Sequence, residues 1–95
     1  MRNRKDFVPL KLDYLGVCYQ NGIGVDRDDK KAFEFYQRGA NKGDFDGIVN
    51  LGDCYQNGIG VDRDEKKAFG FYRRAANKGD IEQSRNQVKK IRRQV

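Results

Sequence analysis

Residues 18–28 read CYQNGIGVDRD, and the same eleven residues stand again at 54–64 of a 95-residue chain. Working outward from this pair, residues 15–50 and 51–86 align without a gap, and 26 of the 36 positions are identical. The run continues as DKKAFEFYQRGANKGD (29–44) in the first copy and EKKAFGFYRRAANKGD (65–80) in the second. Self-similarity at a fixed period of this length marks a tandem array, in which each unit buries its apolar face against its neighbours.

Within each unit the apolar spacing is helical. Ile48, Leu51 and Tyr55 fall at i, i+3 and i+7 with Gly52 beside them, one stripe of a 3.6-residue period, which predicts helix A over about Asp46 to Gln56. Asn57 and Gly58 stop it, because glycine readily takes the left-handed conformation after a helix, and GIGVDRD carries the chain around a turn plugged beneath by Ile59 and Val61. Asp64 is a good N-cap for helix B, whose stripe of Ala68, Phe69, Tyr72, Ala75 and Ala76 ends at Gly79. The first copy repeats this from Leu12, Leu15 and Tyr19, through the turn glycines Gly22 and Gly24 (Gly58 and Gly60 in the second copy), to Asp28, Ala32, Phe33, Tyr36, Ala40 and Gly43. Gly16 and Gly52 lie inside helices, where glycine costs about 1 kcal/mol relative to alanine, so close approach of helix B is expected there, with Ala32 and Ala68 facing them. Beyond the second unit, Val88 occupies the glycine position of a third helix A, Asp80 to about Val95. Its narrow seam of Ile81, Val88, Ile91 and Val95 is surrounded by Arg85, Lys89, Lys90, Arg92 and Arg93, as suits an end cap.

The expected organisation is therefore all-α, about two and a half helix-turn-helix repeats with a capping helix: a basic arm (1–6), repeat 1 (7–43), repeat 2 (44–79) and a basic C-terminal helix (80–95). Arrays of this kind generally need three units, which predicts a piece of a longer array, self-association through open repeat ends, or a chain only marginally stable alone.

Composition excludes several classes. The chain has no histidine and no tryptophan, so the commonest general base and metal ligand are missing. No cofactor or metal is expected, and a small domain offers a binding surface more readily than a reactive cavity. Its longest apolar run is three residues, far short of the ~20 that cross a bilayer, and the N-terminus lacks a signal peptide's apolar stretch, which predicts an intracellular, cytoplasmic protein. The net charge of +6 is concentrated at the ends, +2 in residues 1–6 and +3 in 80–95, leaving +1 for 7–79. Cys18 and Cys54 are too few to staple a secreted scaffold and read as packed thiols. The GIG segments lack the preceding strand and following helix of a phosphate cradle, and DRDD (26–29) and DRDE (62–65) lack the glycine and distal glutamate of a calcium loop. The aromatics Tyr19, Phe33, Phe35 and Tyr36, with their copies, recur at the spacing of an inter-helix core, Phe35 and Phe71 falling off the main stripe as contacts between repeats.

The pattern LGxCYxNGxGVxxDxxKAFxFYxRxANKGD resembles the Sel-one-like repeat, a tetratricopeptide-related unit also found in helical cysteine-rich proteins. The match covers about residues 7–88, at Leu15, Gly16, Tyr19, Gly22, Gly24, Val25, Asp28, Lys31, Ala32, Tyr36, Ala40 and Gly43, and again from Leu51 to Gly79. Gly39 and Gly47 depart from the usual alanines, and the paired cysteines of the secreted cysteine-rich branch are absent. The resemblance implies a right-handed α–α superhelix with helix A on its concave side, and a noncatalytic scaffold or adaptor role in protein assembly and signalling.

By analogy with tetratricopeptide units, the concave positions are Leu10, Asp13, Val17 and Gln20, then Asp46, Val49, Asp53 and Gln56, then Glu82, Arg85 and Lys89. Leu10 becomes Asp46, Asp13 becomes Val49 and Val17 becomes Asp53 between the copies, a mixed groove suited to a peptide or helix of complementary charge. A second reading is a basic adaptor that contacts nucleic acid or an anionic membrane through Arg2, Arg4, Lys5 and residues 85–93.

Overall fold

A computed structural model describes the backbone of residues 11–94 and the side chains of residues 11–80. The basic arm, Leu10 and the side chains of Glu82, Arg85, Val88 and Lys89 lie outside the described residues. Four helices follow in order: α1 (Leu12–Asn21), α2 (Asp29–Asn41), α3 (Phe45–Asn57) and α4 (Glu65–Gln94). α1 and α2 form one helix hairpin, α3 and the first part of α4 another, and α2 packs against α3 to join them.

The turn chemistry of the two hairpins is the same. Gly22 and Gly58 take φ of 68° and 70°, ending α1 and α3 in the left-handed conformation. Asp28 and Asp64 then start α2 and α4, each side chain accepting a hydrogen bond from a backbone N–H three residues on, Lys31 and Lys67, at 3.1 Å. The second aspartate of each DRD segment is thereby engaged as a cap.

The core consists of Ala32, Tyr36, Ala40, Ile48, Leu51, Cys54, Ala68 and Ala75, with Tyr19, Val17, Val49, Ile59, Val61 and Phe71 partly buried around it. Glycines 16 and 52 do admit helix B closely, but the group that fills the space is a tyrosine ring and not Ala32 or Ala68. A methyl group at Gly52 would lie 2.6 Å from a ring carbon of Tyr72, and one at Gly16 would overlap the Tyr36 ring. Ala32 and Tyr36 are one helical turn apart on the same face, so periodicity alone does not separate them. A second close approach joins the repeats: a methyl group at Gly47 would meet the backbone nitrogen of Ala40 at 2.8 Å, and Gly39 lies opposite. These are the two glycines that stand where alanine is usual.

The aromatic contacts differ from expectation in partner. Phe35 and Phe71 stack within their own repeats, on Tyr19 and Tyr55, whereas Phe33 crosses between repeats to meet Tyr55 edge-on at 5.6 Å. Ile59 and Val61 pack onto the preceding repeat, while Ile23 and Val25, with no such neighbour among the described residues, are largely exposed.

The largest departure is at the C-terminal end. Gly79 does not end helix B; α4 runs unbroken for 30 residues to Gln94, and the separate capping helix expected from Asp80 is its continuation. At the first boundary Gly43 takes φ 80°, and α3 folds back onto α2 through Gly39, Gly47, Ile48 and Leu51. At the second boundary the residues in the same register are Ala75 before Gly79 and Gln83, Ser84 and Gln87 after it, so both close-approach glycines and two apolar anchors are missing. With polar residues at both anchor positions, a segment rich in Gln, Lys and Arg extends the helix already begun. Long as α4 is, no helix among the described residues is apolar enough to cross a membrane.

Candidate functional site

The helix-A face expected to meet a partner is only partly open. Asp46 and Gln56 are exposed, and Val17, Gln20, Val49 and Asp53 are half-buried. Asp13 is buried at 8% exposure, because the bare backbone of Gly39 lets the first turn of α1 approach the α2–α3 link. Its carboxyl is pushed above the usual carboxylate range by burial first and then by a side-chain hydrogen bond with Asp44, whose charge acts in the same direction. It faces the interior of the array.

Two of the polar residues on this face also hold the fold. Tyr36 Oη donates to Gln20 Oε1 at 2.7 Å, while Tyr72 Oη donates to Asp53 Oδ1. Because Val17 offers no acceptor and Asp53 does, the equivalent tyrosines choose different partners, and Gln56 is left exposed. Burial and then the Asp53 carboxylate push the Tyr72 phenol up to about 12, which keeps it a donor. Asp46 approaches Lys11 at 4.0 Å, an exposed pair that contributes little. The face therefore presents Asp46, Val49, Asp53 and Gln56 in the second repeat and Val17 and Gln20 in the first.

The other flank of each hairpin carries a feature that the sequence reading passed over. Stacked rings, Tyr19 on Phe35 and Tyr55 on Phe71, lie on the outside with Lys31 and Lys67 over the tyrosines at 5.4 and 5.5 Å. In the second repeat this flank opens into a shallow pocket of about 360 Å³. Its signal was the change from Glu34 to Gly70 between otherwise similar copies. Cys18 and Cys54 are free thiols, the second fully buried.

Helix hairpins stacked through matched turns, with an interhelical core and open side faces, define a helical-repeat solenoid. The chain belongs to the Sel1 repeat family, whose model matches residues 13–44 and 46–80. Over 70% of its length it is similar to a Sel1 repeat protein from Oxalobacter formigenes, at 30% identity and TM-score 0.69, covering 28% of that chain. Over 70% it is also similar to Helicobacter pylori cysteine rich protein B (hcpB), at 33% identity and TM-score 0.66, covering 50% of that chain. Comparison with curated proteins finds no match. Sel1 repeat proteins act generally as protein–protein interaction modules.

Proposed function

We propose that the chain is a noncatalytic protein-binding module that takes a peptide or helix along its helix-A face, at Val17, Gln20, Asp46, Val49, Asp53 and Gln56. Arg85 and Lys89, expected on a third helix A, belong instead to the continuation of helix B, and Leu10 lies outside the described residues. The observation that carries the reading is the disagreement between the copies: Val17 against Asp53 and Leu10 against Asp46, in repeats that keep 26 of 36 residues. A change of character at open positions of one face, in copies otherwise this alike, is what a partner-specific surface would leave. Asp46 and Asp53 make the second repeat's part of that face acidic beside the apolar Val49, which suits an amphipathic ligand with basic residues.

The test uses a synthetic amphipathic helix of leucine and lysine, titrated into the isotopically labelled chain and followed by NMR. Shifts confined to Val49, Asp53, Gln56 and their neighbours, lost in Val49→Lys, are expected. Shifts scattered over the surface, or tight binding to a polyanion such as heparin with a steep salt slope, would replace this reading by the basic-adaptor one.

A further inference from the structure

Both repeats carry the same stacked pair and the same lysine on their outer flank, but only the second leaves the aromatic floor bare. In the first, the Arg38 guanidinium covers the Phe35 ring at 5.4 Å. Glu34 stands three residues from Lys31 and four from Arg38, adding a carboxylate between two cations. In the second, Arg74 is drawn away to donate to the backbone carbonyl of Ala40 at 3.3 Å, at the end of α2. Gly70 replaces Glu34 and leaves open space where its side chain would be, with nothing within 4 Å. The pocket that results is lined by Tyr55, Lys67, Gly70, Phe71 and Arg74. Lys67, Gly70, Phe71 and Arg74 are spaced i, i+3, i+4 and i+7 on one face of α4. Among the described residues neither Lys67 nor Arg74 has a carboxylate partner.

We infer that this flank of the second repeat binds an acidic peptide segment in which an apolar side chain, aromatic or aliphatic, stands between two carboxylates. The apolar group lies on the Tyr55–Phe71 floor in the space left by Gly70, and the carboxylates meet Lys67 and Arg74. Seven residues of helix separate those cations by about 10 Å along the axis. Acidic residues two positions before and two after the apolar one share its side of an extended segment and stand about 13 Å apart, within side-chain reach of both cations. A nucleic acid strand fits less well: sites for single strands run a positive groove along the backbone, whereas here two cations end at one stacked pair and residues 7–79 carry a net charge of only +1. The inference shares with the proposed function the premise of a protein partner. It uses a different face, however, since 100° per residue places Tyr55 on the far side of α3 from Asp46 and Asp53.

The probe is a fluorescently labelled peptide, Gly-Glu-Ser-Phe-Ser-Glu-Gly, measured by anisotropy against the full chain in low salt. Gly70→Glu restores the first repeat's residue in a space that is already empty, so circular dichroism should show an unchanged fold while affinity falls at least tenfold. Glu34→Gly with Arg38→Ala, which uncovers the first floor, should add a second, weaker site. Val49→Lys on the opposite face should leave binding of this peptide unchanged. Equal affinity for Gly70→Glu, equal binding of the Phe-to-Ser peptide, or displacement by oligothymidylate at lower concentration than by unlabelled peptide would each overturn the inference. Loss with Val49→Lys alone would move the peptide to the helix-A face, leaving the proposed function standing and this site refuted.

Discussion

The same substitution, glycine to alanine inside a helix, should have opposite signs at two positions of this chain. At Gly70 the added methyl enters open space, so only helix propensity changes and stability should rise by about 0.5–1 kcal/mol. At Gly16 the methyl would lie against the Tyr36 ring, 2.6 Å from its second contact atom, against the ~3.6 Å of ordinary carbon contact. The ring must therefore retreat by about 1 Å. It cannot do so freely, because Tyr36 is 2% exposed and its hydroxyl is bonded to Gln20. Overpacking of this kind costs about 1–3 kcal/mol, and losing the hydroxyl bond costs about 1 more. Subtracting the propensity gain of about 1 leaves Gly16→Ala destabilising by roughly 1–3 kcal/mol. Urea unfolding followed by the helical circular dichroism signal measures both midpoints at a common slope, and each kcal/mol corresponds to about 4–8 °C in melting temperature for a chain of this size. Midpoints that move upward together would refute the tyrosine-against-glycine account of how the hairpins close.

Three further outcomes follow from buried or exposed side chains. Asp13→Asn should stabilise the chain at neutral pH, because the amide keeps the shape of the buried carboxyl and carries no charge beside Asp44 and Asp46. Since the carboxyl's folded value lies above its ordinary 3.8, its favourable contribution is complete below that pH and is lost as pH rises through the folded value. The wild-type midpoint should thus fall with pH above 4 more than the variant's, and parallel curves would refute the assignment. Cys54, fully buried with its thiol pushed up to about 12 by desolvation and the charges of Asp53 and Asp29, should resist iodoacetamide at pH 8 while Cys18 is labelled, as read by peptide mass mapping. Because the unfolded thiol ionises near 9 and the folded one near 12, stability should decline across that interval, and Cys54→Ala should blunt the decline. Phe69 is 67% exposed where its copy Phe33 meets Tyr55, so Phe69→Ser should shift the urea midpoint by less than about 0.5 kcal/mol while lowering any concentration-dependent mass in light scattering. A large stability loss would show that Phe69 is covered.

The helices and their starts were legible because they rest on local chemistry. Asp28 and Asp64 cap as their position predicts, and the Asn-Gly pairs at 21–22 and 57–58 end helices within a residue of expectation. What the sequence concealed depends on neighbours that spacing does not rank. Phe33 shares the core stripe with Tyr36, yet its ring leaves for the next repeat, while off-stripe Phe35 stays at home on Tyr19. A charged residue such as Asp13 reads as solvent-facing until Gly39 and Asp44 are seen to enclose it. The pocket at Gly70 was passed over for a related reason. It lies on helix B, the side that tetratricopeptide analogy assigns to the scaffold, and its aromatic floor reads as ordinary core.

The sharpest lesson concerns Gly43 and Gly79, which occupy the same repeat position in the same ANKGD context and behave differently. Gly43 takes φ 80° and turns the chain; Gly79 continues the helix. A glycine permits a left-handed turn but does not require one, so the decision belongs to what the following segment gains by folding back. After Gly43 that gain is the burial of Ile48, Leu51 and Cys54, reached through two bare glycine backbones. After Gly79 the matching register positions offer Ser84, Gln87 and Lys90. The consequence is measurable. Gly43→Ala forces a side chain into the left-handed region and should cost about 1–2 kcal/mol, whereas Gly79→Ala, whose methyl would rest at 3.8 Å from the Phe45 ring, should gain about 0.5–1 kcal/mol of helix stability. Equal losses at the two positions would mean that the chain turns at Gly79 as it does at Gly43, and that the burial argument for the unbroken α4 is wrong.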